Sequence, residues 1–148
     1  MTDYRPRLFV SDAAVARVGE GLLERDLPRE EWTHEAHLAA TTYLLLRHEE
    51  IDLDELLPDL IRGYNESVGG VNNDIAGYHD TITRVFLHGV RLFLGEADLS
   101  EPLHALVNAL LLSPMGGRDW PLRFYSRDHL LSVAARRNFV PPDVTALP

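Results

Sequence analysis

The chain has 148 residues, 45% of them hydrophobic, with 23 acidic against 14 basic side chains, a formal net charge of −9 and no cysteine. That size and apolar content fit one folded domain with its own core, and the lack of cysteine removes disulfides, thiolate metal sites and cysteine nucleophiles. The acid excess argues against nucleic acid, whose phosphates call for a positive surface. With no signal-peptide layout in the first ten residues and apolar runs as short as 109–112, neither secretion nor a membrane span is expected, and a cytoplasmic protein is.

Ser11 precedes a helical pattern reaching Arg25, with Val15, Val18 and Leu22 at helical spacing and Leu23 beside them. Pro28 ends it. Thr33 is placed to cap a second helix to about His48, carrying Leu38, Thr41, Leu44 and Leu45 on one side. Asp52 and Glu55 have capping-box spacing and open a third helix through Leu60, Ile61 and Tyr64 to Gly69-Gly70. Pro58 within it lacks a backbone donor and predicts a kink or a late start. Residues 71–74 read as loop. The fourth pattern is the clearest: from about Tyr78 to Leu94, Ile82, Val85, Phe86, Val90 and Phe93 form a continuous stripe that Gly95 closes. Ser100 is the expected cap of a fifth helix bearing Leu103, Leu106, Val107, Leu110 and Leu111, and Ser126 that of a sixth to about Arg137. Pro141-Pro142 starts a tail. No alternating β-type run occurs. The expectation is an all-α single domain over 1–148, a bundle of five to six mostly antiparallel helices, with about ten N-terminal residues and the tail from about 140 extended.

The histidines carry the functional argument. His34 and His37 lie three apart at the start of the second helix, so both side chains share one face within reach of one ion. If the second, third and fourth helices run up, down and up, the start of the fourth returns to the same end. There His79 falls in phase with Ile82, Phe86 and Val90 and faces the core. A buried imidazole needs a partner for each nitrogen. One divalent transition metal (Zn, Fe, Cu or Ni) on His34, His37 and His79 would supply it, with Asp80 or Glu31 as supporting groups. Three protein ligands would leave a position for water or substrate. Asp80, Arg123 and Tyr125 are then candidates to orient a small-molecule substrate or move a proton, since the same topology brings the third and fifth helices down to that end.

Two other readings stand beside it. His79 as a core histidine bonded to Thr83 or a neighbouring helix, with His34 and His37 at a solvated helix start, is structural. A metal-free pocket would use the histidines for acid–base work or to hold a small polar ligand, together with Asn72, Asn73, Arg123 and Tyr125. Glu31 and His34 form an E-x-x-H spacing, and no second such motif completes a di-iron set. No phosphate-binding glycine loop, nucleophile elbow or H-E-x-x-H helix is present. A further reading is a helical interaction module that binds a protein partner, its outer apolar residues mediating homodimerisation, which can coexist with an enzymatic function.

Taken together, Trp32-Thr33-His34-Glu35-Ala36-His37-Leu38, Gly77-Tyr78-His79-Asp80-Thr81-Ile82-Thr83, Arg123-Phe124-Tyr125-Ser126 and Phe139-Val140-Pro141-Pro142-Asp143 resemble a family of small bacterial all-helical proteins that carries no assigned reaction. The resemblance spans most of the chain in the same order. It implies a shared helical fold and a shared histidine-bearing end, and nothing about substrate.

Overall fold

Local hydrogen bonds decide where most of the helices begin. The structure, a computed structural model, describes residues 5–148. Among them are seven α-helices and no strand: α1 (Asp12–Glu24), α2 (His34–Arg47), α3 (Leu53–Ser67), α4 (Asp80–Glu96), α5 (Leu103–Leu112), α6 (Arg127–Leu130) and α7 (Val133–Arg137). The Ser11, Thr33 and Asp52 side chains accept the N–H groups of Ala14, Ala36 and Asp54, each satisfying a donor that its helix leaves open. α1 stops where Arg25 takes a left-handed conformation (φ 57°) and its N–H bonds back to Gly21. The expected extended N-terminus lies partly outside the described residues, and residues 5–10 carry no helix.

α2 is the central element and packs against α1, α4 and α5. Ala36, Ala39 and Ala40 keep its buried side small, so its neighbours approach closely while Leu38 and Leu44 fill the gaps. Leu22, Leu38, Leu44 and Leu110 are all essentially inaccessible, and burying each contributes about 1.5–3 kcal/mol. A smaller cluster of Val85, Trp120, Phe124, Tyr125 and Leu130 fastens the C-terminal quarter to α4. Gly89 makes this possible, because a Cβ there would sit 2.8 Å from the buried Trp120 ring.

Four expectations change. The late start expected at Pro58 does not occur, since α3 begins at Leu53 and runs on through it. The carbonyl that Pro58 leaves without an intrahelical partner, that of Asp54, accepts a bond from Arg84 at 3.1 Å instead. α4 starts after His79 rather than at Tyr78 and runs through Gly95 to Glu96. Ser100 donates its hydroxyl to Asp98 and caps nothing, so α5 starts only after Pro102. The expected sixth helix is two short ones, α6 and α7, because Ser132 provides a second N-cap that accepts the Ala135 N–H. The tail from Val140 is non-helical and pinned: Tyr125 donates to the Val140 carbonyl, and the Val144 and Thr145 N–H groups reach Phe124 O. No helix among the described residues is long and apolar enough to cross a membrane.

Candidate functional site

The start of α2, the start of α4 and the end of α3 do meet at one end of the bundle. Between them and the connection at 68–79 lies a cavity of about 660 Å³, and His34, His37 and His79 all line it. Most of its wall is apolar or aromatic: Trp32, Leu57, Ile61, Tyr64, Val68 and Phe86. Asn65 and Arg29 add polar groups.

His79 is the α4 N-cap. Its Nδ1 accepts the Ile82 N–H at 3.2 Å and its Nε2 bonds the Leu130 carbonyl at 2.8 Å. A peptide N–H only donates and a carbonyl only accepts, so the ring is neutral with its proton on Nε2. Burial holds its pKa below the ordinary histidine value. Both nitrogens are engaged, and a metal ion at His79 requires breaking one of these bonds.

His34 donates from Nε2 to the Gly116 carbonyl at 2.9 Å, which leaves Nδ1 as an acceptor without a protein partner among the described residues. Its ring stands edge-on to Phe86, centroids 5.2 Å apart. Burial lowers its pKa.

His37 differs from both. Its ring lies over Trp32, with centroids 3.9 Å apart and planes 30° from parallel, and among the described residues no hydrogen bond reaches it. Desolvation, reinforced by the neighbouring His34, pushes its pKa down to about 3. At neutral pH His37 is an uncharged imidazole on a cavity wall.

The three proposed catalytic groups do not line this cavity. Asp80 is buried, where it accepts the Tyr78 hydroxyl at 2.7 Å and Arg84 Nε at 2.9 Å, tying α4 to the chain before it. That carboxylate and, above all, burial raise the Tyr78 pKa. Tyr125 is 1% exposed and spends its hydroxyl on Val140 O at 2.6 Å. Arg123 is exposed at the end of a short 3-10 turn, Trp120–Arg123. Glu31 is held by Arg17 at 2.9 and 3.1 Å and supports no histidine.

Asn72 and Asn73 build the loop rather than this cavity. The Asn72 oxygen accepts the Tyr78 N–H and the Asn65 amide, while Asn73 caps the Ile75 and Ala76 N–H groups. Among the described residues no three His, Asp or Glu side chains are gathered so as to hold a metal ion. The four other histidines are each bonded elsewhere: His48 to Glu20 and Glu50, His88 to Pro148 O, His104 to Asp12 and His129 to Pro141 O.

Trp32, Tyr64 and Arg29 were not among the site residues expected from the sequence, whereas the loop beginning at Asn65 was expected at this end. Trp32 carried the best available signal, standing two residues before His34 in the same motif. Comparisons of the chain with protein-family models, with curated proteins and with solved structures find no match.

Proposed function

We propose that this protein binds one small, largely apolar organic molecule in the cavity between α2, α3, α4 and the loop at 68–79. Its body would lie against Trp32, Ile61, Val68 and Phe86. Its polar end would donate a hydroxyl or amine hydrogen to Nδ1 of His34, and a hydroxyl, carbonyl or carboxylate oxygen would accept the N–H of the neutral His37 ring. The observation that carries this reading is the pairing of a roomy apolar-walled cavity with imidazole nitrogens of His34 and His37 that have no partner among the described residues. Cavities of this size and composition, with a few placed polar groups, are the usual form of small-molecule sites. A base with a pKa near 3 takes up protons poorly at neutral pH, and general bases work best with a pKa near the operating pH. His37 is therefore assigned to recognition rather than to proton transfer. A cytoplasmic location belongs to the same reading, on the strength of the cysteine-free composition.

A divalent transition metal is the second reading, and His34 and His37 are what favour it. Neutral imidazoles are the form a metal takes, and these two share a helical face with nitrogens to spare. His79 would join only by surrendering its bond to Leu130 or to Ile82.

The test is a titration with anilinonaphthalene sulfonate, an apolar ring system bearing one anion, read by its own emission and by quenching of Trp32 in a Trp120→Phe background. Saturable one-to-one binding is expected, lost in a cavity-filling Val68→Phe variant that keeps its helical circular dichroism. Absence of saturable binding, or equal binding by Val68→Phe, overturns the ligand reading. Elemental mass spectrometry on the same samples decides the second: near-stoichiometric metal, lost in both His34→Ala and His37→Ala, would establish it.

A further inference from the structure

A second cavity of about 190 Å³ is lined by Arg62, Asn72, Asn73, Asp74, Tyr78, Arg136 and Arg137. Tyr78 lines both cavities. All 14 basic side chains of this chain are arginines, against 23 acidic ones. Three of these arginines nevertheless converge on one small space with a single carboxylate in its lining. Like charges are gathered in this way at a cost unless something of opposite charge joins them.

We infer that this second cavity is an oxyanion site that takes a phosphate group. The donors are placed for it. Arg136 bonds the Gly77 and Tyr78 carbonyls through one nitrogen, at 2.9 and 3.3 Å, and the rest of its fork has no partner among the described residues. Arg62 lies over the Tyr78 ring, its guanidinium carbon 4.4 Å from the centroid. Its ion pair with Asp59 is a loose 3.6 Å contact to a carboxylate that is 81% exposed. Arg137 is neutralised by Asp74, which it holds at 2.8 and 2.6 Å. The Asn73 amide nitrogen has no protein partner among the described residues.

Within the lining, three guanidinium groups against one carboxylate sum to two positive charges, with the looser Asp59 outside it, which suits the monoanion and dianion of phosphate present near pH 7. Planar guanidinium forks suit the paired oxygens of phosphate, whereas a single carboxylate would leave most of these donors unused. Glu66, which touches the Asn72 amide at 3.5 Å, does not line the cavity.

The donors belong to α3, to the loop at 71–77 and to α7. A bound phosphate therefore ties the three together, and its binding slows amide exchange across that loop. The test is calorimetric titration of the full chain with inorganic phosphate at constant ionic strength, with hydrogen exchange measured beside it. Saturable binding to one site is expected, weakened about tenfold in both Arg62→Gln and Arg136→Gln, as for loss of one charged hydrogen-bonding partner. Slower exchange at 72–77 with phosphate, and no change with chloride, is expected as well.

Phenyl phosphate forms a second arm. Tighter binding than inorganic phosphate identifies the phosphate group of an organic molecule, and equal binding identifies the free ion. No saturable binding at millimolar phosphate, or the same affinity in both variants, or an equal response to chloride overturns the inference. Neither Arg62 nor Arg136 lines the larger cavity, so this outcome is independent of the ligand reading there.

Discussion

Replacing His79 by alanine separates a structural histidine from a metal ligand. The substitution removes the acceptor for the Ile82 N–H, and loss of an N-cap side chain costs about 1 kcal/mol. It also leaves the Leu130 carbonyl without the donor it has at 2.8 Å, and an unsatisfied buried acceptor costs about 1–3 kcal/mol. Together His79→Ala is expected to lower unfolding stability by about 2–4 kcal/mol. His79→Asn keeps a capping oxygen but is too short to reach Leu130, so it should recover only the cap. Urea denaturation followed by circular dichroism measures both, in buffer and in buffer with a chelator. The difference between wild type and variant should be the same in either buffer, because hydrogen bonds do not respond to chelation whereas a metal-linked fold does. A loss below about 0.5 kcal/mol, the scale of an ordinary surface substitution, would refute the capping argument. A wild-type stability that collapses in chelator would refute the metal-free account of His79.

Three further predictions follow from the same geometry. His37 has its folded pKa depressed to about 3 from an unfolded value near 6.5, so the unfolded chain binds the extra proton first as pH falls. Its contribution to stability is complete above about pH 6.5 and is lost progressively toward pH 3. His37→Phe should therefore lose about 1–3 kcal/mol less than wild type between pH 7 and pH 4, the full thermodynamic value being reduced because the ring borders an open cavity; parallel urea-midpoint profiles for the two proteins would contradict this. Gly89→Ala drives a Cβ to 2.8 Å from Trp120, a ring 3% exposed with little room to retreat, and is expected to cost about 1–3 kcal/mol by thermal denaturation, with a neutral result ruling out the tight α4–Trp120 approach. Tyr64→Phe removes the hydroxyl that donates to Leu27 O at 2.7 Å in a fully buried setting and should cost about 1–2 kcal/mol in urea, with no loss if that carbonyl is satisfied otherwise.

The fold class and most helix starts were legible in the sequence because they depend on neighbours along the chain. Ser11, Thr33, Asp52 and Ser126 each cap a helix through a donor two or three residues away, and the stripe from Ile82 to Val90 follows from helical period alone. Local signals also misled where two competed. Ser100 lost to Pro102 as the start of α5, and Ser132 divided a helix that the apolar pattern ran straight through.

The gathering of His34, His37 and His79 at one end was legible too, since alternating helix direction brings both helix starts together, although His79 reaches the cavity as the extended N-cap of α4 and not by the helical phase expected of it. What each imidazole is free to do was not. The Leu130 carbonyl that occupies His79 lies 51 residues along the chain, and the Gly116 carbonyl that occupies His34 lies 82 away. Tyr125 was drawn off to Val140, and Asp80 to Tyr78 and Arg84. Which polar groups exist and which helical face carries most of them is readable along the chain, because both follow from short-range geometry. Which of their hydrogen bonds are already spent emerges only on folding, because a buried donor or acceptor must be satisfied by whatever packing brings to it, and that partner comes from anywhere in the chain.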